Sequence, residues 1–171
     1  SSIDVGWVQG GRASGDVLDP GRPRGIANNQ AKETTRLTEG EGAPRLPAPA
    51  IVVWPESSTD LDPSTDRETR ALVESALRAV GRPILVGSVL DGPGLEQRRT
   101  AAQWWTPGKR SPGPTYVKRS IVPFGEWIPY RDVLLPLFPA LRYVGAQSVP
   151  GNAPGLLQTT ASGRSVVVGV L

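Results

Sequence analysis

Apolar residues along the chain follow two spacings. From Ile3 to Gln9 they recur at every second position, with Ile3, Val5 and Trp7 on one face, which predicts a strand. Gly10 to Gly25 is rich in Gly, Arg and Pro and predicts a loop. Ile26 to Leu37 predicts a helix with a weak apolar stripe, and Glu39 to Pro49 a second loop. Ile51-Val52-Val53-Trp54 is a continuous apolar run, the pattern of a strand covered on both faces. Another helix is expected from near Thr65, where Thr65 and Glu68 have capping-box spacing. Leu72, Val73, Ala76, Leu77 and Val80 then share one helical face, and Gly81 and Pro83 end it.

Ile84-Leu85-Val86 reads as the next buried strand, and Thr100 to Trp105 and Tyr116 to Val122 as two more. Between Pro123 and Pro154 prolines interrupt every apolar run, so short helical turns and loops are expected there. Val166 to Leu171 reads as a buried central strand. Strands alternating with helices give an α/β class. No repeat is present, and no loop is long enough to link two domains, so residues 1–171 read as one unit. The chain lacks an initiator Met and stops inside an apolar run, and the expectation is a processed or excised piece.

Composition narrows the chemistry. With 20 Gly and 18 Pro, the loops must be extensive. A pI near 9.7 accompanies a net charge of only +3, too small to argue for a nucleic-acid partner. Of 19 basic residues only Lys32, Lys109 and Lys118 are lysines. The chain has no Cys and no His, which excludes disulfides, cysteine-based metal sites and His-dependent triads within it. Acid–base work must come from carboxylates, Lys or Tyr. No apolar run is long enough to cross a bilayer, and no signal peptide is visible at Ser1.

Three residues could carry chemistry. Glu56 directly follows the Ile51–Trp54 run, where α/β sheets place ligands, and Pro55 fixes the backbone before it. It reads as a candidate base or as a solvated glutamate. Lys118 lies in an apolar segment and must be paired, neutralised or at a cleft edge, or else face water on an edge strand. Glu126 follows the Pro123 and Gly125 turn, eight residues beyond Lys118, and reads equally as an ordinary turn carboxylate.

Trp54-Pro55-Glu56-Ser57, and the string from Tyr116 and Lys118-Arg119 through Val122-Pro123-Phe124-Gly125-Glu126-Trp127-Ile128-Pro129, resemble two signatures of the apolipoprotein N-acyltransferases. These belong to the nitrilase-type carbon–nitrogen hydrolases. Val5-Gly6-Trp7-Val8-Gln9-Gly10, Pro83 to Ser88 and Pro150-Gly151-Asn152 match in order and spacing, so the resemblance spans nearly the whole chain. Two stretches depart from it: Arg98-Arg99-Thr100 stands where an Asn is frequent, and Gly11 to Arg24 matches no motif.

The resemblance implies an α-β-β-α sandwich, incomplete at its C-terminus. It implies Glu56 as general base, Lys118 as oxyanion stabiliser and Glu126 as a supporting carboxylate. The family's Cys nucleophile and its flanking transmembrane helices would lie outside this chain, which would then be inactive alone. The implied reaction takes an acyl group from a phospholipid, through a Cys thioester, to the N-terminal amine of a diacylated apolipoprotein at the extracytoplasmic (periplasmic) face of the cell membrane. No cofactor is implied. Phe124, Trp127 and Tyr130 are the candidate substrate contacts. With Val133 to Phe138 they suit a lid at a membrane interface, or plain core packing. Two other readings stand beside this one: a soluble amidase or nitrilase relative sharing Glu56 and Lys118, and a non-catalytic remnant.

Overall fold

Two apolar faces on the same strands organise the molecule. The structure is a computed structural model that describes residues 2–11, 24–39 and 48–171. Most of the two expected loops, at 12–23 and 40–47, lies outside the described residues. Strands β1 (Val5–Trp7), β2 (Ile51–Val53) and β3 (Ile84–Asp91) run parallel. Strand β4 (Gln97–Trp105) returns antiparallel beside β3. Its other edge carries β5 (Thr115–Val117), antiparallel, and β6 (Gln147–Ser148), parallel.

The register sorts side chains between the faces. Val52 lies beside Ile84, and Ile84 beside Trp105. With Trp54 and Val86 they pack on helices α1 (Gly25–Glu39) and α2 (Arg67–Val80) through Ala31, Val73, Ala76 and Leu77. One residue along, Leu85 lies beside Trp104 and Ala102 beside Tyr116. That face packs on a separate antiparallel hairpin, β7 (Leu156–Ala161) and β8 (Arg164–Gly169), through Leu157, Ala161 and Val166. The layers are therefore helix, sheet and sheet, an α/β fold as the pattern predicts. A buried hydrogen bond from the Trp54 indole Nε1 to Thr34 Oγ1, 2.9 Å, ties β2 to α1.

Several expectations need correction. The cap of α2 is Asp66 rather than Thr65. The Asp66 carboxylate accepts the Thr69 amide at 2.8 Å and is held by the Arg24 guanidinium, while Thr65 donates to Asp91. Glu68 pairs with Arg24 instead of closing a capping box. The strand expected over Tyr116–Val122 ends at Val117, because Pro123 and the turn after it pull the chain away from β4. The Val166 run is not a central strand: among the described residues β8 has only β7 beside it, and Val167 faces outward. From Pro123 to Pro154 the chain does form short elements: α3 (Arg131–Leu137), a 3-10 turn (Pro139–Tyr143) and β6.

Candidate active site

Glu56 is placed by a tight turn at the carboxyl end of β2. The Trp54 amide still donates to Leu85 O, and two residues beyond Glu56 the Ser58 amide donates to Gly87 O at 2.7 Å. Between them Ser57 adopts a left-handed φ of 55°, and the Ser58 hydroxyl donates to Pro55 O. This turn lies so close to β3 that a Cβ on residue 87 would come within 2.1 Å of Pro55 O. Gly87 is required by that clearance.

Lys118 is the first residue past β5. Its amide donates to Thr100 O at 2.8 Å, and its carbonyl accepts the Gly151 amide at 2.9 Å. Glu126 sits on a turn in which Gly125 and Glu126 amides both donate to Val122 O and the Phe124 amide donates to Trp127 O. Phe124 takes a left-handed φ of 61° to make this turn. The Glu126 carbonyl accepts the Ser148 amide at 2.8 Å, which anchors the turn to β6.

These three segments bring Glu56, Lys118 and Glu126 together. Lys118 Nζ lies 2.9 Å from Glu56 Oε1 and 3.1 Å from Glu126 Oε1. The Lys118 and Glu126 side chains are only 20% and 16% exposed, whereas Glu56 is 57% exposed. Glu126 Oε2 also accepts the Val122 amide at 2.8 Å. Burial opposes the charge on Lys118, but the hydrogen bonds from it to Glu56 and Glu126, with their attraction, prevail and hold the ammonium above its ordinary value. Burial likewise pushes Glu126 up. The Val122 amide, Lys118 and the nearby charge of Arg98 prevail and leave its carboxyl below the ordinary value.

Glu56 and Lys118 border a cleft of about 400 Å³ whose walls include Val5, Trp7, Leu85, Tyr116, Val168 and Val170. The contribution of β1 and β8 to these walls is absent from the sequence reading. Only the alternation of Val5 and Trp7 hints at it. A half-buried ammonium held by two carboxylates beside an apolar cleft can oppose developing negative charge, and the more exposed carboxylate is open to solvent. Phe124, Trp127 and Tyr130 do not line this cleft. All three are exposed on the turn and the segment before α3, and Trp127 borders a neighbouring cavity. Among the described residues no cluster of carboxylates is placed to hold a metal, and no helix is long and apolar enough to cross a membrane.

The layered sheet has a nitrilase-superfamily fold. Solved structures of the Nesterenkonia sp. AN1 amidase have the same architecture. A mutant of that amidase from the nitrilase superfamily aligns at a TM-score of 0.55 and 17% identity, covering 96% of this chain and 54% of that one. The amidase after removal of its His-tag aligns at 0.55 and 17%, covering 97% and 56%. No family model matches the chain. The apolipoprotein N-acyltransferase of Mycolicibacterium smegmatis is 31% identical over 161 residues, 92% of this chain. The chain belongs to the apolipoprotein N-acyltransferase family. It spans 27% of that relative's length and about half of the amidase chains.

Proposed function

We propose that residues 1–171 form part of a nitrilase-like domain of an apolipoprotein N-acyltransferase that acts at the extracytoplasmic face of the cell membrane. The donor is a phospholipid and the acceptor the N-terminal amine of a diacylated apolipoprotein. The observation that carries this reading is the half-buried Lys118 ammonium held between Glu56 and Glu126 at the edge of an apolar-walled cleft.

A Cys thiol supplied from outside this chain attacks the donor ester, because a thiolate is the competent nucleophile and this chain has no Cys. Glu56, the exposed carboxylate, takes the thiol proton and passes one to the leaving alkoxide. It later accepts a proton from the incoming amine. Lys118 faces the oxyanion of the tetrahedral intermediate, and Glu126 holds Lys118 in place. The exposed apolar side chains of Trp127, Tyr130, Val133, Leu137 and Phe138 suit a lid that meets the membrane interface.

The test uses a protein extended through the family's Cys and its membrane segments. Glu56→Gln should abolish acyl-enzyme formation with a phospholipid donor. Lys118→Ala should slow it about 100- to 1,000-fold, the usual loss for one oxyanion stabiliser. The 171-residue chain alone should form no thioester. Acylation at the wild-type rate in either variant would refute these roles.

A further inference from the structure

Arg119 follows the site lysine directly, yet it serves a different cavity. Lys118 borders the cleft with Glu56, whereas Arg119 borders a second space of about 410 Å³ with Ile121, Pro123, Trp127, Ser148 and Pro150. Among the described residues the Arg119 side chain pairs with no carboxylate, although Lys118 beside it has two. Ser148, itself buried, lines this cavity, and its hydroxyl oxygen accepts from Arg98 Nε on β4 at 3.4 Å. Cationic and hydroxyl groups therefore meet walls of Ile, Pro and indole.

That combination selects a ligand. An unpaired guanidinium binds a phosphate oxygen pair in its fork. A free inorganic anion, however, would leave Ile121, Pro123 and the Trp127 indole against water. An anion that carries its own apolar neighbours satisfies both parts. Val122 and Phe124, exposed on the turn that carries Pro123, extend the apolar surface beside it.

We propose that Arg119, with Ser148 and the Trp127 indole, binds the phosphodiester headgroup of a membrane phospholipid in this cavity, apart from the Glu56–Lys118 cleft. The proposal rests on the reading that the protein acts on membrane lipids, and it names the residues that would seat a headgroup.

The experiment titrates the 171-residue chain with dioctanoyl phosphatidylglycerol below its micellar concentration and follows the Trp127 indole NH by NMR. Wild type should shift and saturate. Arg119→Gln should weaken binding about tenfold, the scale of one lost charge-assisted hydrogen bond. Arg119→Lys should fall between. Dioctanoylglycerol, which lacks the phosphate, and inorganic phosphate, which lacks the chains, should each bind at least tenfold more weakly. Equal binding by Arg119→Gln, or by dioctanoylglycerol, would overturn the proposal. Inorganic phosphate binding as tightly as the lipid would also overturn it, by revealing a bare anion site. Arg119 is exposed, so circular dichroism should show each variant folded. Acyl transfer by the extended enzyme is scored separately. Its absence, with Arg119-dependent lipid binding intact, would refute the proposed reaction and leave this site standing.

Discussion

Replacing the two glutamates one at a time separates their contributions to the fold. Glu126→Gln removes the charge from a carboxylate that is 16% exposed and leaves Lys118, 20% exposed, with only its outer partner. Breaking a buried pair outright costs about 3–5 kcal/mol. Here the Gln amide oxygen still accepts the Val122 amide and Glu56 still reaches Lys118, so a cost of about 1–3 kcal/mol is expected. Glu56→Gln acts on a side chain that is 57% exposed, where solvent screens the pair, and should cost about 0.2–1 kcal/mol. Urea unfolding of the chain, followed by tryptophan fluorescence, reads the difference. With a slope of about 2 kcal/mol per molar, the midpoint should fall by about 0.5–1.5 M for Glu126→Gln and by no more than about 0.5 M for Glu56→Gln. The pH dependence has a definite sign. Glu126 lies below its ordinary value of 4.5, so its contribution is fully present above that pH and is lost as pH falls through the lowered folded value. Lys118 lies above its ordinary 10.5, so its contribution is present below that pH and is lost as pH rises through the raised value. The gap between wild type and Glu126→Gln should therefore be flat near neutrality and shrink as pH falls below 4.5, first as the unfolded chain and then the folded wild type takes up the proton. A Glu56→Gln loss equal to or larger than that of Glu126→Gln would refute the assignment of Glu126 as the anchoring carboxylate.

Gly87→Ala would place a Cβ within 2.1 Å of Pro55 O, so the turn must move. A cost of about 1–3 kcal/mol is expected. A variant structure with Glu56 still in contact with Lys118 would contradict it. Trp54→Phe removes the buried donor to Thr34, whose hydroxyl keeps its own bond to Gln30 O. About 1–2 kcal/mol should be lost in thermal or urea unfolding, and an unchanged midpoint would show that the bond adds nothing.

The strands that carry the site were legible because they are sandwiched. Ile51–Trp54 and Ile84–Val86 contact helices on one face and the hairpin on the other, so nearly every side chain is apolar. Helix α2 announced itself by its stripe and by Gly81, but competition among Thr65, Asp66 and Glu68 for its cap was decided by Arg24, forty-two residues away from Asp66. Strand β7 escaped notice because Leu156-Leu157-Gln158-Thr159-Thr160-Ala161 buries only Leu157 and Ala161, too sparse an alternation to stand out after Pro154. Its partner β8 was over-read for the opposite reason: three consecutive valines suggest two covered faces where only one is covered. For the site, the chain motifs placed Glu56, Lys118 and Glu126 together in one cluster as expected. They did not reveal that Phe124, Trp127 and Tyr130 stand outside the cleft, because side-chain direction on a left-handed turn does not follow sequence spacing.

The backbone of Lys118 is fastened at both of its polar groups, to Thr100 on one side and Gly151 on the other, and its ammonium is held by two carboxylates. Glu126 is fastened through its carbonyl and its side chain alike. Rotamer freedom in the site is thus concentrated in Glu56, the solvated arm of the three. When a ligand fills the cleft, ordering costs fall almost wholly on that one side chain, at most about 2 kcal/mol. The entropy of the other two has already been surrendered in folding. Such a division fits the proton-transfer role proposed for Glu56, with Lys118 and Glu126 holding a fixed field around it.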